Sequence, residues 1–310
     1  MKKVLCALIV LVASASVSFA QLSVSGTAAA AHPDNVLRYD VSFTVSSSAL
    51  AYVEYGYWNG TDSIWNGTHV EGPGTNHTIT VVGLMPSTDY HFRAVAMDST
   101  GCYAGTNLAT TTTAIPAGLG VGGMDSTWAP AGAEPQGYIL TNTAEANPNR
   151  MTQIFTRDGD LVWYQEMPGD PDPAMDGLCQ HFNFDYKSNT LFYTTCDHVT
   201  ELDFDGSILE DVNVHAADAN LFPHHEAFRH TNGNIVAVVS MLDTVDKTSV
   251  GGPADALVVG QGIVEFDDQG NVAWQWSNFD DYSPLNSPGP GGYWTPKFGA
   301  DAIDWMHANA

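Results

Sequence analysis

Two histidine-containing stretches of this 310-residue chain are the parts best suited to chemistry. The first is Phe222–Phe228, Phe-Pro-His-His-Glu-Ala-Phe, which leads through an Asn-Gly turn into an apolar strand at 235–239. The second is Asp304–Ala310, Asp-Trp-Met-His-Ala-Asn-Ala. Imidazole titrates near neutral pH and can act as nucleophile, base or hydrogen-bond donor. Strand side chains alternate, so His224 and His225 would point to opposite faces. We predict that both stretches contribute to one site.

Three other histidines, His181, His198 and His215, are weaker candidates, because strand and loop histidines more often lie on the surface or in the core. A zinc or copper site built from several of them would need a ligand spacing that this sequence does not show. The sequence therefore predicts no metal and no cofactor.

The charge of the chain excludes one class of partner. Its formal net charge is −25 and its calculated pI is about 4.3. Nucleic-acid binding needs basic patches, so we expect no nucleic-acid partner. An anionic substrate would need a local pocket of cationic or hydrogen-bond-donating groups.

Residues 1–20 have the pattern of an export signal. Lys2 and Lys3 precede an apolar run at 4–13, and Ser18-Phe19-Ala20 is a small-x-small cleavage site. The run is too short for a stable membrane span. We expect a periplasmic or secreted protein without stable membrane insertion.

Cysteine spacing predicts one cross-link. Cys179 and Cys196 flank a hairpin that turns at Lys187-Ser188, so they would face each other across it. In an exported protein this favours a disulfide, the alternative being two buried thiols. Cys102 is left over, and we expect it to be buried.

Residues 21–115 have the pattern of a β-sandwich. Val41, Phe43 and Val45 alternate with polar residues. The run Leu84-Met85-Pro86-Ser87-Thr88-Asp89-Tyr90 entering a strand resembles the tyrosine corner of fibronectin type III domains. Residues 116–134 are a linker by composition.

A different pattern fills residues 135–310. Three times a strand enters an acidic-glycine turn and leaves as a second strand, and the turn glycines Gly159, Gly206 and Gly270 are 47 and 64 residues apart. Repeats of this length are typical of β-propeller blades. Calcium loops are the alternative for these turns, but the other ligand positions are absent.

The second half of the chain resembles a known family. His-His-Glu-x-Phe at 224–228, Asn-Gly-Asn at 232–234, the strand pair at 263–276 and Asp-Trp-x-His-x-Asn-Ala at 304–310 are similar, in this order, to the bacterial arylsulfate sulfotransferases. The resemblance spans about 135–310. It implies an all-β protein with a β-sandwich ahead of a six-bladed propeller. It also implies an exported enzyme that moves a sulfuryl group from an aryl sulfate to a phenol through a sulfated histidine.

The resemblance also implies roles for single residues. His224 or His225, with His307, would line the sulfate pocket, and Asn309 would donate a hydrogen bond. Trp305 would form one side of the pocket or belong to the hydrophobic core. Asp304 and Glu226 would orient neighbouring imidazoles or be solvated.

One feature departs from the family pattern. The family's nucleophilic histidine and anion-binding arginine follow the Asp-Trp-x-His-x-Asn motif, and neither can be placed before Ala310. Residues 120–310 have room for three blades and the start of a fourth, whereas propellers close with about four to eight. We therefore expect a C-terminally truncated chain, inactive as it stands.

Two other functions stay open. One is a non-catalytic exported propeller that binds glycans or proteins. The other is a quinone-dependent dehydrogenase, whose repeating tryptophan motif is not evident here. The expected partners are a small aryl sulfate and a phenol, and a homodimer is an open expectation.

Overall fold

A computed structural model describes residues 21–58, 60, 63–119, 137–142, 151–166, 181–292 and 295–306. The predicted signal at 1–20 and most of the predicted linker lie outside these residues, as do Cys179, His307 and Asn309. The described chain is built almost entirely from antiparallel sheets, which confirms the all-β prediction. Within it, no helix has the length and hydropathy needed to cross a membrane.

The N-terminal part is a seven-stranded assembly organised by one long strand. Its strands are β1 (Val24–His32), β2 (Asn35–Trp58), β3 (Ser63–Gly67), β4 (Glu71–Val81), β5 (Asp89–Asp98), β6 (Gly101–Ala104) and β7 (Leu108–Thr111). The first half of β2 pairs with β1 and β4, and its second half pairs with β3 and β5. Alternating residues of β2, including Val41, Phe43 and Val45, are buried in one core, as predicted. β2 therefore passes from one layer of a sandwich to the other.

The predicted tyrosine corner has the expected hydrogen bond. The Tyr90 hydroxyl accepts from the Met85 N–H at 3.1 Å. Burial raises the pKa of Tyr90 to about 12. The domain's fibronectin-type identity and its boundaries at 21–115 and 135–310 stay predictions.

Cys102 is exposed, so the prediction that it is buried was wrong. It lies on the short strand β6, opposite Met97. Its neighbour Tyr103 is the β6 residue that packs against the core. Because side chains alternate along a strand, Cys102 faces the other way.

The C-terminal part contains three further sheets. The first comprises β8 (Tyr138–Asn142), β9 (Met151–Thr156) and β10 (Leu161–Glu166). The second comprises β11 (His181–Asp185), β12 (Thr190–Thr194), β13 (His198–Leu202) and β14 (Ile208–Asn213). The third comprises β15 (Leu221–Arg229), β16 (Ile235–Val245), β17 (Ala256–Phe266) and β18 (Val272–Ser277), with β19 (Ile303–Asp304) parallel to β17. The described residues also form the short helices α1 (Val214–Ala217), α2 (Asn278–Asp281) and α3 (Thr295–Phe298), and 3₁₀ turns at Thr248–Val250 and Pro284–Asn286.

The three acidic-glycine segments form equivalent hairpins, each joining two neighbouring strands of its sheet. In each, the glycine N–H donates back to the residue three positions earlier at 2.9–3.1 Å. Gly159, Gly206 and Gly270 have φ of 92°, 91° and 76°, which L side chains rarely adopt. The Asp267 carboxylate accepts N–H groups of its own turn, so hairpin chemistry accounts for it. The hairpin interpretation was correct.

The sheets pack in sequence order. Trp163 of the first sheet packs with Leu191 of the second. Phe192 of the second packs with Ala237 and Val264 of the third. Face-to-face sheets of three or four antiparallel strands are the arrangement of propeller blades. The first strands of the sheets, β8, β11 and β15, are neighbours in turn. In a propeller the first strands of successive blades are the inner strands, so we call these three the inner strands.

Candidate functional site

The His-His stretch lies in a bulge of inner strand β15. Pro223 pairs with Val239 and Ala227 pairs with Ala237. Three residues of β15 therefore stand where its partner has one, so the bulge holds two extra residues. Bulges redirect side chains and are frequent beside active sites. This bulge presents His224 and His225 together, where a regular strand would have separated them onto two faces.

The interior imidazole is held by a glutamine of β17. His224 is 1% exposed, and its Nε2 lies 2.7 Å from Gln261 Oε1. The amide nitrogen of Gln261 lies 3.0 Å from the Gly260 carbonyl oxygen, which can only accept. The oxygen of the Gln261 amide therefore faces His224, and His224 Nε2 must carry a hydrogen. In neutral His224 the basic nitrogen is Nδ1.

The second imidazole has a strained backbone and lies between two other rings. His225 has φ +60°, the left-handed region, which costs an L residue about 1–2 kcal/mol. Its ring centroid is 4.8 Å from that of His224 and 4.0 Å from that of His181. His225 is half-buried. Left-handed residues other than glycine cluster at ligand sites.

His181 was underrated by the sequence analysis. It opens the inner strand β11, so it lies beside β15 of the next sheet. Its signal was its position at the start of a strand ahead of a hairpin. His198 lies beside the Asp211 carboxylate at 3.1 Å, away from this cluster.

Side-chain amides tie the inner strands together. Asn183 Nδ2 donates to the Ala227 carbonyl at 2.7 Å, and Asn183 Oδ1 accepts from the Ala227 N–H at 3.2 Å. The Asp185 carboxylate accepts the Arg229 N–H at 2.9 Å. Burial opposes ionisation of Asp185, but the N–H donors of Lys187 and Arg229 outweigh it and lower its pKa. These bonds fix the residues that follow the bulge.

The second stretch reaches the same framework through Asn278. The Gln261 N–H donates to Asn278 Oδ1 at 2.9 Å, and Asn278 Nδ2 lies 2.9 Å from the Met306 sulfur. A Cβ on Gly260 would clash with Asn278, so glycine is required for this approach. Gln261 and Asn278 thus join the His224 region to the residue that precedes His307.

The remaining predicted residues lie as follows. Trp305 packs against Phe279, with its ring centroid 5.4 Å away, in a hydrophobic cluster. Asp304 is half-buried beside Gly292. Glu226 is exposed and makes no hydrogen bond with the described residues. His307 and Asn309 lie outside the described residues.

An aromatic and cationic cluster borders the bulge. The Phe222 ring lies 5.4 Å from His215 and 5.1 Å from Phe298, and Lys297 Nζ is 5.0 Å from its centroid. Fully buried Cys196 belongs to the same cluster. Lys297 therefore places an ammonium beside the strand that bears the histidines, and Lys187 Nζ places another 5.9 Å from the ring centroid of Phe228 on the same strand. Arg229 is instead paired with Glu201 and Glu210.

The predicted hairpin before Cys196 has the expected register. His181 pairs with Thr194 and Asp185 pairs with Thr190. The pairing of Cys196 with Cys179 stays a prediction, because Cys179 lies outside the described residues. Within the described chain no group of three or more metal-ligating side chains occurs.

Stacked antiparallel sheets with imidazoles on their inner strands define an all-β, propeller-like protein with a histidine-lined site. Residues 129–310 match the model of the arylsulfotransferase (ASST) family. This match covers more than half of the chain, which therefore belongs to the arylsulfotransferase family.

Two other comparisons add little. No curated protein matches the chain. Among solved structures, a protein of unknown function from Bacteroides caccae matches with 12% identity and a TM-score of 0.19. That match covers 75% of this chain and 96% of the other.

Proposed function

We propose that the protein is an exported sulfotransferase that moves a sulfuryl group from an aryl sulfate to a phenol without a nucleotide donor. The observation that carries the proposal is the meeting of three imidazoles, His181, His224 and His225, at a bulge of an inner strand in a chain of the arylsulfotransferase family.

The chemistry suits imidazoles. In the first half-reaction a histidine nitrogen would bond to sulfur while the ester S–O bond breaks, and the aryloxide would leave and take a proton. In the second half-reaction the acceptor oxygen would bond to sulfur, the N–S bond would break, and the acceptor would release its proton to a base. Both steps need donors around three sulfuryl oxygens and groups that carry a phenolic proton.

The burial of the two adjacent histidines divides their roles. Half-buried His225 would contact the sulfate ester and donate to it when protonated. His224 has Nε2–H engaged by Gln261, so it would position the His225 ring and act through Nδ1. We assign the nucleophile to neither, in keeping with the family pattern, and His307 and Asn309 would complete the pocket.

Charge supports a confined anion site. In a chain of net charge −25, a sulfate ester needs local donors. Lys297 over the ring of Phe222 supplies one positive charge next to β15. Export by residues 1–20 and a Cys179–Cys196 disulfide belong to the proposal, whereas nothing in the described chain supports a homodimer.

The test is a transfer assay on the mature product of the whole gene. With p-nitrophenyl sulfate as donor and phenol as acceptor, we expect p-nitrophenolate release and phenyl sulfate formation. His225→Ala should lower kcat/KM by about 10²–10⁴-fold, the range for losing a proton-handling side chain.

The matched control is His198→Ala, which removes an imidazole from a hairpin away from the bulge and should leave the rate unchanged. The proposal would be contradicted if the wild type released no p-nitrophenolate. It would also be contradicted if the wild type and His225→Ala released p-nitrophenolate at the same rate.

A further inference from the structure

A cavity lies away from the histidines, where the sandwich meets the first two C-terminal sheets. Its volume is about 740 Å³, within the range of small-molecule sites. Tyr55 and Gly83 line it from the sandwich, Tyr138 and Trp163 from the first sheet, and Tyr186 from the second. Clefts between domains are common ligand sites. We refer to this cavity as the junction cleft.

Exposed aromatic rings in the junction cleft can stack with flat apolar surfaces of a ligand. Tyr138 is 70% exposed and Tyr186 is 88% exposed. The Tyr186 ring meets Phe184 edge-on, with ring centroids 4.7 Å apart. Burial raises the pKa of Tyr55, and the nearby Tyr138 phenol adds to the rise. Tyrosine rings on three sides of the cleft offer apolar faces for stacking.

The polar lining is cationic. Arg157 is exposed and lines the junction cleft, and no carboxylate stands among the described lining residues. A guanidinium recognises carboxylates by paired, parallel hydrogen bonds. The side-chain amides of Asn66 and Asn189 add donors and acceptors suited to hydroxyl groups.

A smaller pocket of about 230 Å³ lies nearby, lined by Tyr52, Trp65 and Arg93 among others. Trp65 and Asn66 are neighbours on β3, so their side chains point to opposite faces of the sheet. Arg93 is paired with Glu54 in this smaller pocket. The smaller pocket is therefore separate from the junction cleft, which Tyr55 and Asn66 line from the other face.

We propose that the junction cleft binds an acidic oligosaccharide. The apolar faces of pyranose rings stack on Tyr186 and Tyr138, hydroxyl groups bond the asparagine amides, and a uronate carboxylate meets Arg157. The proposal is independent of sulfuryl transfer, because no residue of the histidine cluster takes part.

The test is isothermal titration calorimetry of the chain with hexagalacturonate and with its fully methyl-esterified form. The acid should bind. The ester lacks the negative charge, so its affinity should be lower by about tenfold or more. Arg157→Gln should weaken binding of the acid about tenfold, while Arg157→Lys should restore part of it. Tyr186→Ala should weaken both forms by about twofold to tenfold.

The control is Tyr282→Ala, which removes another exposed tyrosine outside the junction cleft and should change neither titration. Three outcomes would overturn the proposal: no heat with hexagalacturonate, equal affinity in wild type, Arg157→Gln and Tyr186→Ala, or displacement of the sugar by p-nitrophenyl sulfate at equal concentration. The last would show that the junction cleft selects small aryl anions.

Discussion

Gln261→Leu is the substitution that tests the framework of the histidine site most sharply. The side chain gives His224 Nε2–H its acceptor at 2.7 Å, and its amide donates to Ser240 Oγ at 2.9 Å and to the Gly260 carbonyl at 3.0 Å. Leucine fills a similar space but cannot hydrogen-bond, so these buried groups of His224, Ser240 and Gly260 lose their partner. At about 1 kcal/mol for each hydrogen bond, the free energy of unfolding should fall by about 3 kcal/mol.

A loss of that size should lower the Tm of the C-terminal sheets by about 6–12 °C, measured by differential scanning calorimetry. Gln275→Leu makes the same change at an exposed position of the neighbouring strand and should shift Tm by less than about 2 °C. Nitrogen-15 NMR of the neutral imidazole should show the hydrogen of His224 on Nε2. A Gln261→Leu protein as stable as the wild type, or a hydrogen on Nδ1, would refute the tautomer argument.

Three further predictions concern the bulge, the tie between inner strands, and the sandwich. His225→Gly should be more stable than His225→Ala by about 1 kcal/mol in chemical denaturation, because both remove the ring and only glycine relieves φ +60°; equal stability would contradict the strain. Asn183→Ala should cost about 1–3 kcal/mol by the same measurement, since both Ala227 backbone groups lose a buried partner, and no change would mean that this tie is dispensable. The pKa of Tyr90 is about 10 in the unfolded chain and about 12 in the folded protein, so the free energy of unfolding of the wild type should fall as pH rises from 10 to 12. Tyr90→Phe should make this fall smaller. Identical alkaline profiles of the two proteins would be evidence against a raised pKa of Tyr90.

The sequence predicted the repeating parts of the fold well because their signals are local. The Asp-Gly and Gln-Gly turns identified three hairpins, and the alternation in β2 identified a sandwich layer. The proline, threonine and tyrosine of the tyrosine corner sit within one short segment, so Tyr90 could be assigned before any coordinates. The prediction that Cys102 is buried was wrong. The partner strand decides which face of a four-residue edge strand turns inward, and the local sequence does not show it.

The site was predicted only in part, because its geometry depends on pairing across strands. Adjacent histidines suggested opposite faces, and the two extra residues of the bulge overturned that simple alternation. His181 comes from the preceding sheet, so only the stacking of blades brings it to His225. Gln261 did carry a signal, a lone polar residue between two glycines inside an apolar run at 256–264, but its partner could not be inferred from spacing.

The central claim is that the imidazoles at the bulge receive an aryl sulfate. Its most direct test is a nitrogen-15 NMR titration of the histidine side chains with p-nitrophenyl sulfate. We predict that the resonances of His225 and His181 shift with a common saturation curve, while His198 stays unchanged. Stationary signals from His181, His224 and His225 at saturating ester, or shifts confined to His198, would contradict it.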